Sequence, residues 1–299
     1  MYIFNVDDYG FFKEQSKRIL SCIENGVVNA VSIMPNSPNL KDCMEMMLAN
    51  PYTNETKITI HLNMLEGRCL SDPSDIPNLI GDDRILNSSF KKLLIASYNP
   101  FVRNEYRKEL FSEIDAQIKA GLPYSNLENG LRIDSHSHFH MIPVMFDALM
   151  DVIKANNYKI EYIRMPREDV SIYREANQHP RFINQIKVLV LNTLYRRNYR
   201  KYKSIIDSFS EHALYLGVMQ SGNMFYKNVS ALLPIALRKA KEANCGFEMA
   251  FHTGRCLEED DLKAFTFPDD VTFTASADRD AEAEATIRLK KDFRLHCDE

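Results

Sequence analysis

The residues that could perform chemistry stand in a few separated segments of the chain. Asp7 and Asp8 are adjacent carboxylates that follow an apolar opening run, residues 2–6. Far along the chain come His61, in the sequence HLNMLEG, and the cluster DSHSHFH at 134–140. A divalent-metal hydrolase needs carboxylates and imidazoles to hold the metal and to move protons. These residue types therefore indicate metal-assisted hydrolysis.

The spacing of the histidines in this cluster is also informative. His136, His138 and His140 alternate with other residues. On an extended segment, side chains at positions i, i+2 and i+4 point to one face. Three imidazoles would make a poor packed core. The pattern therefore predicts an extended segment whose histidines share one face at a binding site.

Strand-like and helical segments alternate along the chain and must position these residues. Helical patterns cover residues 12–25, 40–49, 104–120 and 144–155. The strand-like runs are residues 2–6, 27–34, 58–63, 131–135, 160–165, 213–218 and 247–251, with a weaker one at 271–274. Such alternation predicts an α/β fold with mainly parallel strands, arranged as a barrel or as a doubly wound sheet.

The positions of the polar residues favour the barrel. The carboxyl ends of barrel strands converge on one mouth, where TIM-barrel enzymes carry their active sites. The candidate site residues fall at or just after the ends of predicted strands, namely Asp7, Asp8, His61, His136 and His252. We therefore expect a TIM-barrel-like fold with these side chains at one end.

Length and composition argue against several classes of protein. The 299 residues, of which 45% are hydrophobic, suffice for a substantial core. The net charge of −4 gives no reason to expect a nucleic-acid partner. The six cysteines show no CxxC spacing, which favours free thiols in a reducing cytoplasm over a disulfide scaffold. The N-terminus does not resemble a signal peptide, and no segment approaches the about 18 apolar residues of a membrane span.

One basic segment suggests a different partner. Residues 187–203 interleave arginine and lysine with tyrosine, as strand-binding grooves do. The apolar start of the segment at 188–191 fits better a helix that packs on one side and is solvated on the other. We therefore expect a helix here and no nucleic-acid partner.

Four segments together resemble the signature of a known family. NVDDYG, HLNMLEG, DSHSHFHMIP and FEMAFHTG are similar, in order and spacing, to the motifs of the YdjC-like carbohydrate deacetylases, which include chitooligosaccharide deacetylases and a hopanoid-biosynthesis type. The resemblance extends through IRMPRE at 163–168 and covers most of the chain. It implies a distorted β/α barrel, a divalent metal and removal of acetyl groups from N-acetylated sugars. We expect one domain over residues 1–299, with a basic helical insertion near 184–210.

The resemblance also assigns roles to residues of this chain. It implies a metal held by Asp8, His61 and His136, with Asp7 beside it as the catalytic base. One carboxylate and two imidazoles leave coordination positions open, as a catalytic site requires. The resemblance implies Mg²⁺, while the ligand set would also suit Zn²⁺ or another transition metal. His252 is the candidate acid that protonates the departing amine.

Three further residues are candidates for contacts with substrate or for support of the ligands. His138 and His140 lie in the histidine cluster, and Arg164 lies in IRMPRE. Spacing does not separate the roles of the two histidines. Asp134 precedes His136 by two residues and could either orient a ligand imidazole or form a turn.

Two other functions remain open. A metal-dependent phosphoesterase also uses aspartate and histidine at a barrel mouth, and His138 and His140 could supply the extra ligands that such enzymes need. A noncatalytic sugar-binding protein with a degenerate site is the second alternative, although every proposed ligand is present. The expected partner is a small N-acetylated sugar. The oligomeric state stays open, with a homodimer as one option.

Overall fold

The fold is built on one sheet of parallel strands. A computed structural model describes residues 1–257, 260, 262–265 and 267–297. Within this part of the chain, neighbouring strands pair in the order β5-β4-β3-β2-β1-β7-β6. The strands are β1 Tyr2–Tyr9, β2 Ala30–Ile33, β3 Lys57–Leu62, β4 Leu131–Ser135, β5 Ile160–Ile163, β6 Ala213–Leu216 and β7 Gly246–Phe251.

Helices follow or connect these strands. They are α1 Lys13–Asn25, α2 Leu40–Leu48, α3 Phe90–Tyr98, α4 Arg103–Gly121, α5 Pro143–Ala155, α6 Val170–Glu175, α7 Phe182–Ile206, α8 Tyr226–Glu242, α9 Pro268–Thr274 and α10 Asp278–Cys297. The sheet curls into a half-barrel, which confirms the predicted α/β, TIM-barrel-like fold. No helix in the described ranges is long and apolar enough to cross a bilayer.

The two edges of the half-barrel approach each other at the amino ends of the strands. The Glu211 N–H, just before β6, donates to the Glu161 carbonyl of β5 over 2.9 Å. Arg132 lies 3.0 Å from the Glu161 carboxylate, and Lys57 lies 2.9 Å from the Glu211 carboxylate. Ion pairs thus link β3, β4 and β5 to the segment that leads into β6.

Side chains along β1 sort into two layers because successive residues point to opposite faces. Phe4 and Val6 belong to the main core, which includes residues of the surrounding helices. Ile3 instead joins Ala30 and Tyr162 in a small separate cluster. The concave face of the sheet therefore carries only a small apolar cluster. Polar residues line the rest of this face toward the carboxyl ends of the strands.

One predicted strand is wrong. Residues 271–274 lie in α9, which runs from Pro268 to Thr274. Proline is well tolerated in the first turn of a helix. The negative charges of Asp269 and Asp270 in the same turn interact favourably with the positive end of the helix dipole. These signals of a helix start outweigh the β-branched residues of the run.

The basic segment forms the long helix α7, as predicted. Val188 and Leu191 are buried against the core. Arg197 and Lys201 approach the buried Asp147 of α5 at 2.8 and 2.9 Å. Part of the positive charge of this helix is therefore neutralised within the protein, which weakens the nucleic-acid hypothesis further.

We expect Asp147→Asn to reduce the free energy of unfolding by about 2–3 kcal/mol. Arg103, Arg197 and Lys201 all lie within ion-pair distance of this carboxylate. Removing one partner of a buried pair costs about 3–5 kcal/mol, and we reduce that figure because the three cations are partly exposed. Urea unfolding would measure the loss.

Asp151→Asn is the matched control for this variant. Asp151 also lies on α5 and pairs with Arg107 at 2.6 Å, but its side chain is 39% exposed. An exposed pair contributes at most about 1 kcal/mol. Equal losses in the two variants would contradict the proposed importance of the buried cluster.

Candidate active site

Asp7 and Asp8 reach the same site because β1 is irregular at its end. In a regular strand, neighbouring side chains point to opposite faces. The pairing of β1 with β2 shifts register between Val6 and Tyr9, and Asp8 has a positive φ of 67°. Aspartate is among the residues that tolerate this left-handed conformation best. Both carboxylates are buried.

Asp8, His61 and His136 form a compact group at the carboxyl ends of β1, β3 and β4. The Asp8 Oδ1 atom lies 3.0 Å from His136 Nδ1 and 3.4 Å from His61 Nε2. One potential ligand atom from each residue lies within 4.8 Å of the others. Among the described residues, no hydrogen-bond partner reaches the buried His61 Nε2. A carboxylate and two imidazoles in this arrangement fit a divalent metal ion.

The charges in this group favour exchange of protons for a cation. Burial lowers the pKa of His61, but Asp134 and Asp7 outweigh it and raise that pKa to about 10. Burial also lowers the pKa of His136, but Asp8 and Glu66 together outweigh it and raise that pKa to about 9. The metal-free site therefore holds protons at neutral pH, and binding of a metal would release them.

Asp134 fixes the orientation of His61. Its Oδ1 atom accepts from His61 Nδ1 over 2.6 Å, which leaves Nε2 directed toward Asp8. Its Oδ2 atom accepts from Ser32 Oγ over 2.6 Å. The sequence left two roles open for Asp134, a contact with a ligand imidazole or a turn. The structure shows the contact with the imidazole of His61.

Arg164 is the main positive charge behind the site. Its guanidinium donates to Asp7 Oδ1 and Oδ2 over 2.9 and 3.0 Å, and it pairs with Asp134 at 2.8 Å and Glu248 at 2.6 Å. Burial would raise the pKa of Asp7, but Arg164, His61 and His252 together outweigh it and lower that pKa. With 1% of its surface exposed, Arg164 supports other side chains and is not open to a substrate.

The three clustered histidines do not share one face. Residues 136–141 form a 3₁₀ turn in which Ser137 and His138 have positive φ angles of 51° and 58°. The prediction of an extended segment is therefore wrong, because this turn reverses the chain directly after β4.

His138 and His140 consequently differ from His136 in their surroundings. His140 is fully buried, with Nδ1 2.6 Å from Ser135 Oγ and Nε2 2.7 Å from the Arg164 carbonyl. It links the ends of β4 and β5. His138 packs edge-on against Tyr215, with ring centroids 5.5 Å apart. Neither residue is in a group that could hold a metal among the described residues.

His252 lies beside Asp7 at the end of β7. Its Nε2 atom is 3.8 Å from Asp7 Oδ2. The imidazole packs edge-on against Phe273 of α9 at 5.2 Å, and its backbone N–H donates to Glu282 of α10 over 2.8 Å. Burial lowers the pKa of His252, although Asp7 opposes this. The side chain is therefore mostly neutral at pH 7.

The last two helices contribute residues that the sequence did not reveal. Arg279 of α10 pairs with Glu282 at 3.1 Å and lies 4.0 Å over the ring of Phe273. Both charged residues are buried. The sequence carried no signal for them, since an arginine and a glutamate three residues apart are common on exposed helices.

Glu66 is a second residue that sequence reasoning missed. It is 1% exposed, and no hydrogen bond from the described residues reaches either of its carboxylate oxygens. One of these oxygens lies within 4.8 Å of potential ligand atoms of His136 and Asp270. Burial raises the pKa of Glu66 to about 9. Its position in the segment HLNMLEG, five residues after His61, was the available signal.

Several known proteins resemble this chain. A carbohydrate deacetylase of Geobacillus stearothermophilus is 26% identical over 193 residues, which is 62% of this chain and 72% of that protein. One of Thermoanaerobacter pseudethanolicus is 24% identical, over 56% of this chain and 62% of that protein. One of Xenopus laevis is 28% identical, over 56% of this chain and 51% of that protein.

A solved structure supports the fold, and a family model covers nearly the whole chain. A crystal structure from Enterococcus faecalis, of a protein assigned provisionally to cellobiose-phosphate cleavage, matches with a TM-score of 0.62. The identity is 16%, over 99% of this chain and 94% of that one, so the likeness concerns the fold alone. The family model described as YdjC-like protein matches residues 2–297, and the chain therefore belongs to the YdjC-like family.

Proposed function

We propose that this protein is a metal-dependent hydrolase that removes acetyl groups from N-acetylated sugars. The observation that carries the proposal is the group of Asp8, His61 and His136, with Asp7 and His252 beside it. The relatives named carbohydrate deacetylases support the choice of sugar and acetyl group. A chitooligosaccharide or a related glycoconjugate is the substrate that we propose.

We propose Asp8, His61 and His136 as the ligands of one divalent metal. Mg²⁺ is our choice from the family resemblance, although two imidazoles also suit Zn²⁺ or another transition metal. When bound, such a metal polarises the amide carbonyl and makes a bound water more acidic. The buried His61 Nε2 atom, which faces Asp8 and receives no hydrogen bond from a described residue, supports this assignment.

Asp7 is the proposed base, and Arg164 supports that role. The two hydrogen bonds from Arg164 hold the Asp7 carboxylate in one orientation and favour its ionised form. An ionised carboxylate can accept a proton from the attacking water. Arg164 thus acts on the reaction through Asp7, and we propose no contact between Arg164 and the sugar.

His252 is the proposed acid. A neutral imidazole is not an effective acid, because one of its ring nitrogens is unprotonated. His252 must therefore receive a proton before it can protonate the amine. The Asp7 carboxylate, 3.8 Å away, is a suitable source once it has taken the proton of the water. Asp7 and His252 would then carry a single proton from the nucleophile to the leaving group.

The two alternatives are less well supported. A phosphoesterase with two or three metals would need additional ligands, and His140 is engaged by Ser135 and by the Arg164 carbonyl. His138 faces Tyr215. A noncatalytic sugar-binding protein would have no use for Asp7 and His252 beside a complete ligand set.

Release of acetate from N-acetylglucosamine oligomers tests the proposed function. We expect acetate from metal-loaded protein, none after chelation, and recovery on addition of Mg²⁺ or Zn²⁺. A parallel panel of sugar phosphates should release no phosphate. Release of phosphate without acetate would instead establish the phosphoesterase, and binding of the oligomers without either product would establish the sugar-binding protein.

We expect His252→Ala to slow amide substrates by about 10²–10⁴-fold, the usual contribution of a general acid. Acetate esters of good leaving groups should lose far less, because such groups depart without protonation. The measurement is kcat/KM for an N-acetylated sugar and for an activated acetate ester. Equal losses on both substrates would make His252 a positioning or structural residue.

The remaining proposals concern the setting of the enzyme. We propose a single catalytic domain and a location in the cytoplasm, where the free thiols of the described cysteines would stay reduced.

A further inference from the structure

The two histidines of the proposed metal site are supported unequally. His61 has a carboxylate partner on its second ring nitrogen, since Nδ1 lies 2.6 Å from Asp134. His136 directs Nδ1 toward Asp8 at 3.0 Å. Among the described residues, no hydrogen-bond partner reaches the buried His136 Nε2. Histidines that bind metals almost always donate their other N–H to a carboxylate, a carbonyl or a water.

Glu66 is the carboxylate that best fits the missing contact. Both of its oxygens are buried and receive no hydrogen bond from any described residue. A Glu66 oxygen and a His136 ring nitrogen lie within 4.8 Å of each other. In the described part of the chain, the imidazole whose Nε2 lacks a partner and the carboxylate that receives no hydrogen bond are thus close neighbours. Each would otherwise keep the cost of a buried, unpaired polar group.

The backbone around Glu66 is held firmly. Asn63 Oδ1 accepts from the N–H groups of Leu65 and Glu66 over 2.9 and 3.1 Å. Asn63 Nδ2 and Asn36 Nδ2 each donate to the Glu66 carbonyl over 2.8 Å. Gly67 follows with a positive φ of 75°, a conformation that glycine adopts most easily. The loop therefore presents Glu66 to the site in a fixed position.

We propose that Glu66 is a positioning residue that accepts a hydrogen bond from the second ring nitrogen of His136, as Asp134 does from His61. The inference rests on the proposed function, because it presupposes a metal at Asp8, His61 and His136. The contact would fix the tautomer of His136 and make it a stronger ligand.

Asp270 is the other carboxylate of this neighbourhood. It lies in the first turn of α9 and belongs to the same 4.8 Å group as Glu66 and His136. Glu66 is the preferred partner because it is 1% exposed, whereas Asp270 is only partly buried and can be solvated. In the described part of the chain, neither carboxylate forms an ion pair with lysine or arginine.

The test compares metal affinity with stability in Glu66→Gln and Glu66→Leu. Titration calorimetry of the chelator-stripped full chain with Zn²⁺, and separately with Mn²⁺, gives affinity and stoichiometry. We expect one ion per chain in the wild type and affinity about 10–100-fold weaker in the variants, with Leu weaker than Gln because the amide oxygen can still accept. The stripped variants should unfold at equal or higher temperature, since a buried unpaired carboxylate has been removed.

A variant that binds metal more weakly while its unfolding temperature is kept or raised identifies Glu66 as a positioning residue. A merely structural role would lower the unfolding temperature instead. Asp269→Asn is the matched control, because it removes an exposed charge next to Asp270 and should leave affinity unchanged. Asp134→Asn should weaken binding to a similar degree through His61. Unchanged affinity in both Glu66 variants would overturn the inference and leave the proposed function intact.

Two further results would also overturn the inference. A loss of affinity in Asp270→Asn without one in Glu66→Gln would make Asp270 the partner of His136. Two ions per chain in the wild type, reduced to one in Glu66→Gln, would make Glu66 a ligand of a second metal. Absence of metal binding in the wild type would contradict the proposed function itself.

Discussion

Asp8→Ala, His61→Ala and His136→Ala should each lose the bound metal and reduce acetate release to background. A site with three protein ligands has no spare donor, so removal of any one leaves two. The three side chains come from the ends of β1, β3 and β4, and the backbone pairing of these strands does not depend on the substituted side chains. Metal content after gel filtration and acetate release are the two measurements.

His179→Ala is the control for these variants. His179 is exposed and lies outside the site, so its loss should change neither metal content nor activity. Circular dichroism of each variant would verify that the fold is retained. Normal metal content in one of the three variants would remove that residue from the ligand set. If the variant were Asp8→Ala or His136→Ala, the nearby Asp7–His61–Asp134 group would become the next candidate.

The strands, and the approach of the candidate site residues at their carboxyl ends, could be predicted because parallel β/α units leave a strong pattern in the sequence. Short apolar runs between amphipathic stretches predicted every strand that the structure has in the described ranges, within a few residues at the ends. The carboxyl ends of such strands meet at one edge, so Asp8, His61 and His136 could be expected to approach each other. The distances from Asp8 Oδ1 to His136 Nδ1, 3.0 Å, and to His61 Nε2, 3.4 Å, agree with this expectation.

The histidine cluster could not be predicted from spacing. Alternation predicts a shared face only if the backbone is extended, and the positive φ angles of Ser137 and His138 break that condition. Serine does not signal such a conformation, and histidine, although enriched there, adopts it too rarely to predict it. His140 is therefore buried under Arg164, although its spacing from His136 suggested a common face.

Hydrogen bonds between residues far apart in the chain could not be predicted from the sequence either. Arg164 holds Asp7 across 157 positions, and Glu282 accepts from the His252 backbone across 30 positions. Pairings of this kind depend on the curl of the sheet and on the packing of α10, which no local pattern encodes. A single sequence could therefore suggest the candidate ligands, and Asp134 and Arg164 as residues that could support them, but not which atoms these supports would contact.

Asp7→Asn should retain the metal and the fold while kcat for an N-acetylated sugar falls by about 10²–10⁴-fold, the usual contribution of a general base. An amide cannot take the proton of the water. Its size and shape match those of the carboxylate, and Asp134 and Glu248 remain as partners of Arg164. KM should change little, because a proton transfer is made only in the transition state.

The contrast between neighbours makes this variant informative. Asp7→Asn and Asp8→Asn remove the same charge one residue apart, but only Asp8 lies near both His61 and His136. We expect the Asp8 variant to lose metal and the Asp7 variant to lose rate with its metal content unchanged. If Asp7→Asn turned over at a near-normal rate, Arg164 would be orienting a carboxylate with no part in the reaction. The base would then have to be another group at the mouth of the half-barrel.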